Sequence, residues 1–147
     1  MKKISIHSNK EYDTPDKKVC KSIIRYITKI EKIDSYEISV IFTSDIFVSD
    51  LKNRFFSENK WTDVIAFPLH NSEEKNIEGE IYISMPTAKE NAKKYNQSYE
   101  KEVARLIIHG ILHLIGYSDQ SEKEKKIMST YENSVLKQIK WKDLFIK

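Results

Sequence analysis

The stretch His109-Gly110-Ile111-Leu112-His113-Leu114-Ile115-Gly116-Tyr117-Ser118-Asp119 decides how the rest of the chain is understood. Its two histidines stand four residues apart, so on an α-helix both imidazoles leave the same face and can reach one ion. That face cannot supply a third ligand. Gly116 can take the left-handed conformation that closes a helix, which turns Tyr117, Ser118 and Asp119 back toward the pair. Three ligands, His109, His113 and Asp119, leave one position open on a four-coordinate ion, as in a catalytic zinc rather than a closed structural one. Histidines at this spacing also occur as satisfied residues at the border of a core. The glycine and the acid at set offsets tell against that here.

On either side of this stretch the pattern is regular. Val103, Leu106, Ile107, Gly110, Ile111 and Leu114 form a buried stripe on a long helix opened by Ser98, Glu100 and Glu102, with Gly110 allowing close approach to a neighbour. Ser121-Glu122-Lys123-Glu124 is a capping box for a last helix running to about Ile139. Upstream, Lys3 to His7 alternates as a short strand. Thr14-Pro15-Asp16 predicts an N-cap and first turn, and Val19, Ile23, Tyr26, Ile27 and Ile30 repeat at helical spacing to about Glu31. Tyr36 to Thr43 is a β-branched strand, followed by a short helix from Ser44 to Phe56 and a loop at Asn59-Lys60. Val64 to Pro68 is a buried strand stopped by proline, residues 69 to 77 form a polar, mobile loop, and Gly79 to Ser84 alternates again as a strand. Pro86 starts a helix to about Asn96. This order predicts one α+β domain over residues 1–147: a small, mixed four-stranded sheet with packed helices and a zincin-like metal site on a C-terminal helix and its following turn.

Composition sets the bounds. The chain has 147 residues, 39% apolar and 32% charged, enough for one real core and too apolar for disorder. A net charge of +3 is compatible with a polyanionic partner without demanding one. Cys20 is the single cysteine, which excludes an intramolecular disulfide and suits a reducing compartment; on its helix it is expected as a small buried hydrophobe. Met1-Lys2-Lys3 begins like a signal peptide, but Ile4 to Asn9 is no apolar core of one, and the apolar run near Leu106 to Ile115 is broken by both histidines. The expectation is a cytoplasmic protein without membrane contact.

The histidine stretch resembles the YbeY family of bacterial RNA-maturation endoribonucleases, whose hallmark is H-G-x-L-H-L-x-G-Y-D-H. His109, Gly110, Leu112, His113, Leu114, Gly116 and Tyr117 match its fixed positions. Thr62-Asp63-Val64-Ile65-Ala66-Phe67-Pro68 is similar to the family's T-[ND]-V-L-S-F-P strand, and Gly79-Glu80-Ile81-Tyr82-Ile83-Ser84 to its G-D-I-x-I-S strand. The resemblance implies zinc-dependent hydrolysis of single-stranded RNA at a phosphodiester. It further implies work in ribosomal RNA maturation at the small-subunit 3′ end and in ribosome quality control, with the small ribosomal subunit and assembly factors as partners. Two positions depart from the family. Asp119 stands where the family has its third histidine and Ser118 where it has the preceding acid, so two neutral imidazoles and a carboxylate leave the ion a net +1 instead of +2. A family arginine aligns with Phe56, so its role is either lost or taken by a nearby cation such as Arg54 or Lys52.

Lys52, Arg54 and Lys60 are candidates to offset backbone charge, and each is as readily a solvated surface charge. Tyr82, Tyr95 and Tyr117 are expected to pack rather than to stack on bases. Catalytic residues beyond the ligands are not assigned. Three other readings stand beside this one. A non-catalytic metal-binding ribosome-biogenesis factor would use the ion to hold the turn. An iron enzyme with two histidines and one carboxylate shares the ligand set. A zincin protease needs a glutamate after the first histidine, where this chain has Gly110. Asp119 could instead orient an imidazole from behind, with His70 and His7 then the histidines to test as third ligand.

Overall fold

The computed structural model describes residues 1–56, 63–70 and 76–145, the side chain of Phe56 excepted. Alternation of apolar residues builds the sheet. Tyr36, Ile38, Val40 and Phe42 of β2 (Ser35–Thr43) are buried, as are Ile77, Ile81 and Ile83 of β4 (Asn76–Ser84). A period of two sends each set to one face. Parallel pairing then places Ile38 beside Gly79, Val40 beside Ile81 and Phe42 beside Ile83. β1 (Lys2–Ser8) pairs in parallel with the far side of β2, and β3 (Val64–Pro68) runs antiparallel along β4, giving the order β1-β2-β4-β3. The mixed four-stranded sheet expected from the sequence is present.

Helices α1 (Lys17–Ile30) and α4 (Tyr99–Ile115) share in one core with the apolar face of this sheet. α1 contributes Cys20, Ile23, Ile24 and Ile27. α4 contributes Val103, Leu106, Ile107, Ile108, Ile111, Leu112 and Leu114, all buried, at roughly 1.5–3 kcal/mol for each large side chain. α4 touches α1, β3, β4, α3 (Met85–Lys94), α5 (Glu122–Leu136) and a 3₁₀ turn at Trp141–Asp143, so tertiary packing holds the helix that carries both histidines. Gly110 makes this seating possible: a Cβ there would lie 2.6 Å from Ile81 Cγ2 on β4. α2 (Asp45–Phe56) lies on the other face, with Phe47 5.9 Å from Tyr82 and Phe55 5.3 Å from Phe67 between ring centres.

Several element ends differ from expectation for local reasons. α1 is capped by Asp16 rather than Thr14, because the Asp16 carboxylate accepts from Val19 N–H at 3.0 Å while its own N–H donates to Leu144 O at 2.7 Å. α3 begins one residue before Pro86, with Ser84 accepting from Thr87 N–H. It stops at Lys94, and Asn96 has φ 52°. β4 begins at Asn76, inside the stretch expected as loop; residues 71–75, like the Asn59-Lys60 loop and Thr62, lie outside the described residues. α5 ends at Leu136 rather than near Ile139. The chain then bends so that Leu144 is buried in the core and Phe145 stacks on Tyr99 at 5.0 Å.

Candidate metal centre

The site begins at the C-terminal end of α4. Gly116 has φ 115°, and its N–H reaches His113 O at 3.1 Å while Tyr117 N–H reaches Leu112 O at 2.9 Å, the paired bonds of a Schellman turn. The chain therefore reverses as the sequence predicts. A second device holds it there: Glu31, just past α1, accepts from Tyr117 O–H at 3.1 Å and from Tyr131 O–H of α5 at 3.0 Å. The turn that leads to Asp119 is thus tied to two other helices.

His109 Nε2, His113 Nε2 and Asp119 Oδ2 meet. The edges of their triangle are 3.0 Å between the histidines, 3.4 Å from His109 to Asp119 and 3.5 Å from His113 to Asp119. Donors held tetrahedrally at about 2.0–2.1 Å from one ion lie roughly 3.3 Å apart, so the three fit a zinc-sized ion. They are the cluster of histidine, cysteine and carboxylate ligands that could hold a metal among the described residues. Side-chain exposure rises from 19% at His109 through 30% at His113 to 39% at Asp119, which leaves the group open on the Asp119 side.

Behind the histidines lies a polar network. His109 Nδ1 is 2.6 Å from Glu132 Oε2 on α5, and the other Glu132 oxygen is 3.4 Å from Arg105 Nη1. Arg105 grips Glu102 with two donors, at 2.6 and 2.9 Å. Asn91 donates to Asp63 at 3.0 Å and to Glu102 at 3.4 Å. Glu102 and Glu132 are 3% and 4% exposed, and such buried carboxylates persist only when paired. Acids outnumber Arg105 around the site, an arrangement that suits a cation.

The same network sets the imidazole charges. Burial pushes the His109 pKa down, but the hydrogen bond and charge of Glu132, with Asp119 and Asp63, outweigh it and hold the group above its ordinary value. Burial and the neighbouring His109 keep His113 below its ordinary value, with Asp119 acting the other way.

Among the sequence candidates, His109, His113 and Asp119 come together and the other two histidines do not. His70 closes the β3–β4 connection, its Nδ1 2.9 Å from Glu78 O, and His7 lies exposed on β1. Arg54 is engaged with Asp50 at 3.1 Å on the exposed side of α2, while Lys60 and the Phe56 side chain lie outside the described residues. Tyr82 and Tyr117 pack as expected, but Tyr95 is 57% exposed, with Lys94 Nζ 5.5 Å from its ring centre. The position of the zincin base is closed to a carboxylate, because the Cα–Cβ direction at Gly110 runs into Ile81. Sequence reasoning missed Glu132, Arg105 and Glu31. The signal for Glu132 was available: with Met128, Val135 and Leu136 it lies on the buried stripe of α5, an acid where an apolar residue belongs.

Comparison with known proteins places these features in a family. The family model described as Endoribonuclease YbeY matches residues 3–140. Curated proteins of that name are similar to this chain. The one from Karelsulcia muelleri is 43% identical over 100 residues, 68% of this chain and 70% of the relative. The one from Persephonella marina is 35% identical over 128 residues, 84% of each, and the one from Chloroherpeton thalassium is 35% identical over 133 residues, 90% and 92%. The solution structure of TM1509 from Thermotoga maritima superposes with a TM-score of 0.62 at 28% identity, covering 92% of this chain and 87% of that one. With the histidine helix, its glycine turn and the mixed sheet all in place, and the family match spanning residue 3 to residue 140, this chain belongs to the YbeY family.

Proposed function

We propose that this protein is a zinc-dependent endoribonuclease of ribosomal RNA maturation, built as one domain over residues 1–147, with His109, His113 and Asp119 as the ligands of a single Zn²⁺. The observation that carries the reading is the triangle of donor atoms, whose edges of 3.0, 3.4 and 3.5 Å suit one small divalent ion. When bound, zinc supplies a position at which a phosphate oxygen is polarised or a water acidified. Asp119 brings a negative charge where a third imidazole would bring none, and so moderates that acidification. Asp119, Glu132, Glu102 and Asp63 outnumber the one guanidinium, Arg105, among them and repel a phosphodiester when no metal ion is bound, so RNA engages this corner in the metal-loaded protein. Its substrate is ribosomal RNA or its precursor, in the cytoplasm, with the small ribosomal subunit and assembly factors as partners that supply selectivity. No helix among the described residues is long and apolar enough to cross a membrane.

The test pairs two measurements on protein purified without added metal. Elemental analysis should find about one zinc per chain. The same preparation should cleave a ribosomal RNA precursor, while His113→Ala, purified identically, should not. Equal cleavage by the variant would assign the activity to a contaminating nuclease and overturn the reading.

A further inference from the structure

We propose that Glu132, on α5, is a positioning residue for the metal centre: it holds His109 in the tautomer whose Nε2 lone pair faces His113 and Asp119. A neutral imidazole carries one N–H, and an ionised carboxylate can only accept. With His109 Nδ1 2.6 Å from Glu132 Oε2, the proton sits on Nδ1 and Nε2 is left bare. Nε2 is the atom that enters the donor triangle, 3.0 Å from His113 Nε2 and 3.4 Å from Asp119 Oδ2. The opposite tautomer would put a hydrogen into the space the ion needs and leave the buried carboxylate without its donor.

Glu132 is itself held in place. It is 4% exposed, and its second oxygen faces Nη1 of Arg105, whose other two nitrogens, Nε and Nη2, donate to Glu102. Arg105 and Glu102 lie on α4 before His109, so α4 supplies both the ligand and the clamp that orients the acid behind it. The Glu132 carboxylate behind His109 orients the ring and raises the donor strength of its free nitrogen. The single acid on the buried stripe of α5 thereby gains a purpose that packing does not explain.

This inference rests on the proposed metal site, and its test separates the two. In the wild-type, metal-free protein labelled with ¹⁵N-histidine, at a pH where the imidazoles are neutral, long-range ¹H–¹⁵N spectra should show His109 protonated at Nδ1 and bare at Nε2. Glu132→Gln, whose amide can donate as well as accept, should give a mixture of tautomers. It should also lower Zn²⁺ affinity about 10- to 100-fold in competition with a chromophoric chelator. Glu132→Gln binding zinc within about twofold of wild type, or wild-type His109 protonated at Nε2, would overturn the assignment of Glu132. Wild-type protein that takes up no divalent ion would overturn the metal site beneath it. The wild-type spectrum decides the tautomer even if the variant does not fold.

Discussion

Gly110 lies between His109 and His113, and replacing it with alanine pits two known effects against each other. Alanine in a helix interior is favoured over glycine by about 0.8–1.0 kcal/mol. Against this, the new Cβ would stand 2.6 Å from Ile81 Cγ2 and 3.2 Å from its Cδ1, where carbon atoms rest at about 3.5–4.0 Å. Ile81 is fully buried and β-branched, so it cannot rotate aside, and overpacking of this kind costs about 1–3 kcal/mol. The clash wins: Gly110→Ala should destabilise the protein by about 1 kcal/mol. In an Ile81→Ala background the obstacle is gone and the added methyl enters the vacated space, so the same change should stabilise by about 1–2 kcal/mol. Urea unfolding of the four metal-free proteins in chelator gives the coupling, expected near 2–3 kcal/mol. A stabilising Gly110→Ala in the wild-type background, or equal shifts in both backgrounds, would show that α4 does not rest on Ile81 and would remove the reason given for the glycine.

Zinc affinity should depend on pH through His109: below its raised pKa the ion must displace a proton, so affinity falls about tenfold per pH unit there and levels off above it. Chelator competition from about pH 5 to 8 measures this, and a flat profile would contradict it. Glu31→Gln leaves one acceptor oxygen for two tyrosine hydroxyls and should cost roughly 1–2 kcal/mol in urea unfolding; unchanged stability would remove the clamp from the account. Burial pushes the Cys20 thiol up to about 12, so a thiol reagent at neutral pH should label it only in denaturant, and rapid labelling of the native protein would contradict its place in the core.

Local chemistry carried most of what the sequence disclosed. Gly116 was legible as a left-handed turn because only glycine takes φ 115° without cost, and that turn made Asp119 a ligand candidate. Alternation located β2 and β4, since a half-buried strand must repeat every two residues. What stayed hidden depends on pairing across the fold. Glu132 lies 23 residues from His109, and Glu31 lies 86 and 100 residues from its tyrosines, separations that no local periodicity encodes. Thr14 was expected as the cap of α1 because Thr-Pro-Asp is a strong local signal. Asp16 takes the role instead, where its own N–H binds Leu144 O from the far end of the chain. The C-terminal turn after Leu136 was missed for the same reason: its anchor is burial of Leu144 in a core built by earlier elements.

The claim beneath all of this is that one ion is gripped by His109, His113 and Asp119. Anomalous diffraction at the zinc edge, on crystals grown from zinc-saturated protein, tests it most directly. The account predicts a single strong peak within about 2.0–2.2 Å of His109 Nε2, His113 Nε2 and an Asp119 carboxylate oxygen. A peak held by the histidines with Asp119 turned away, or saturated crystals with no peak between the three side chains, would contradict it.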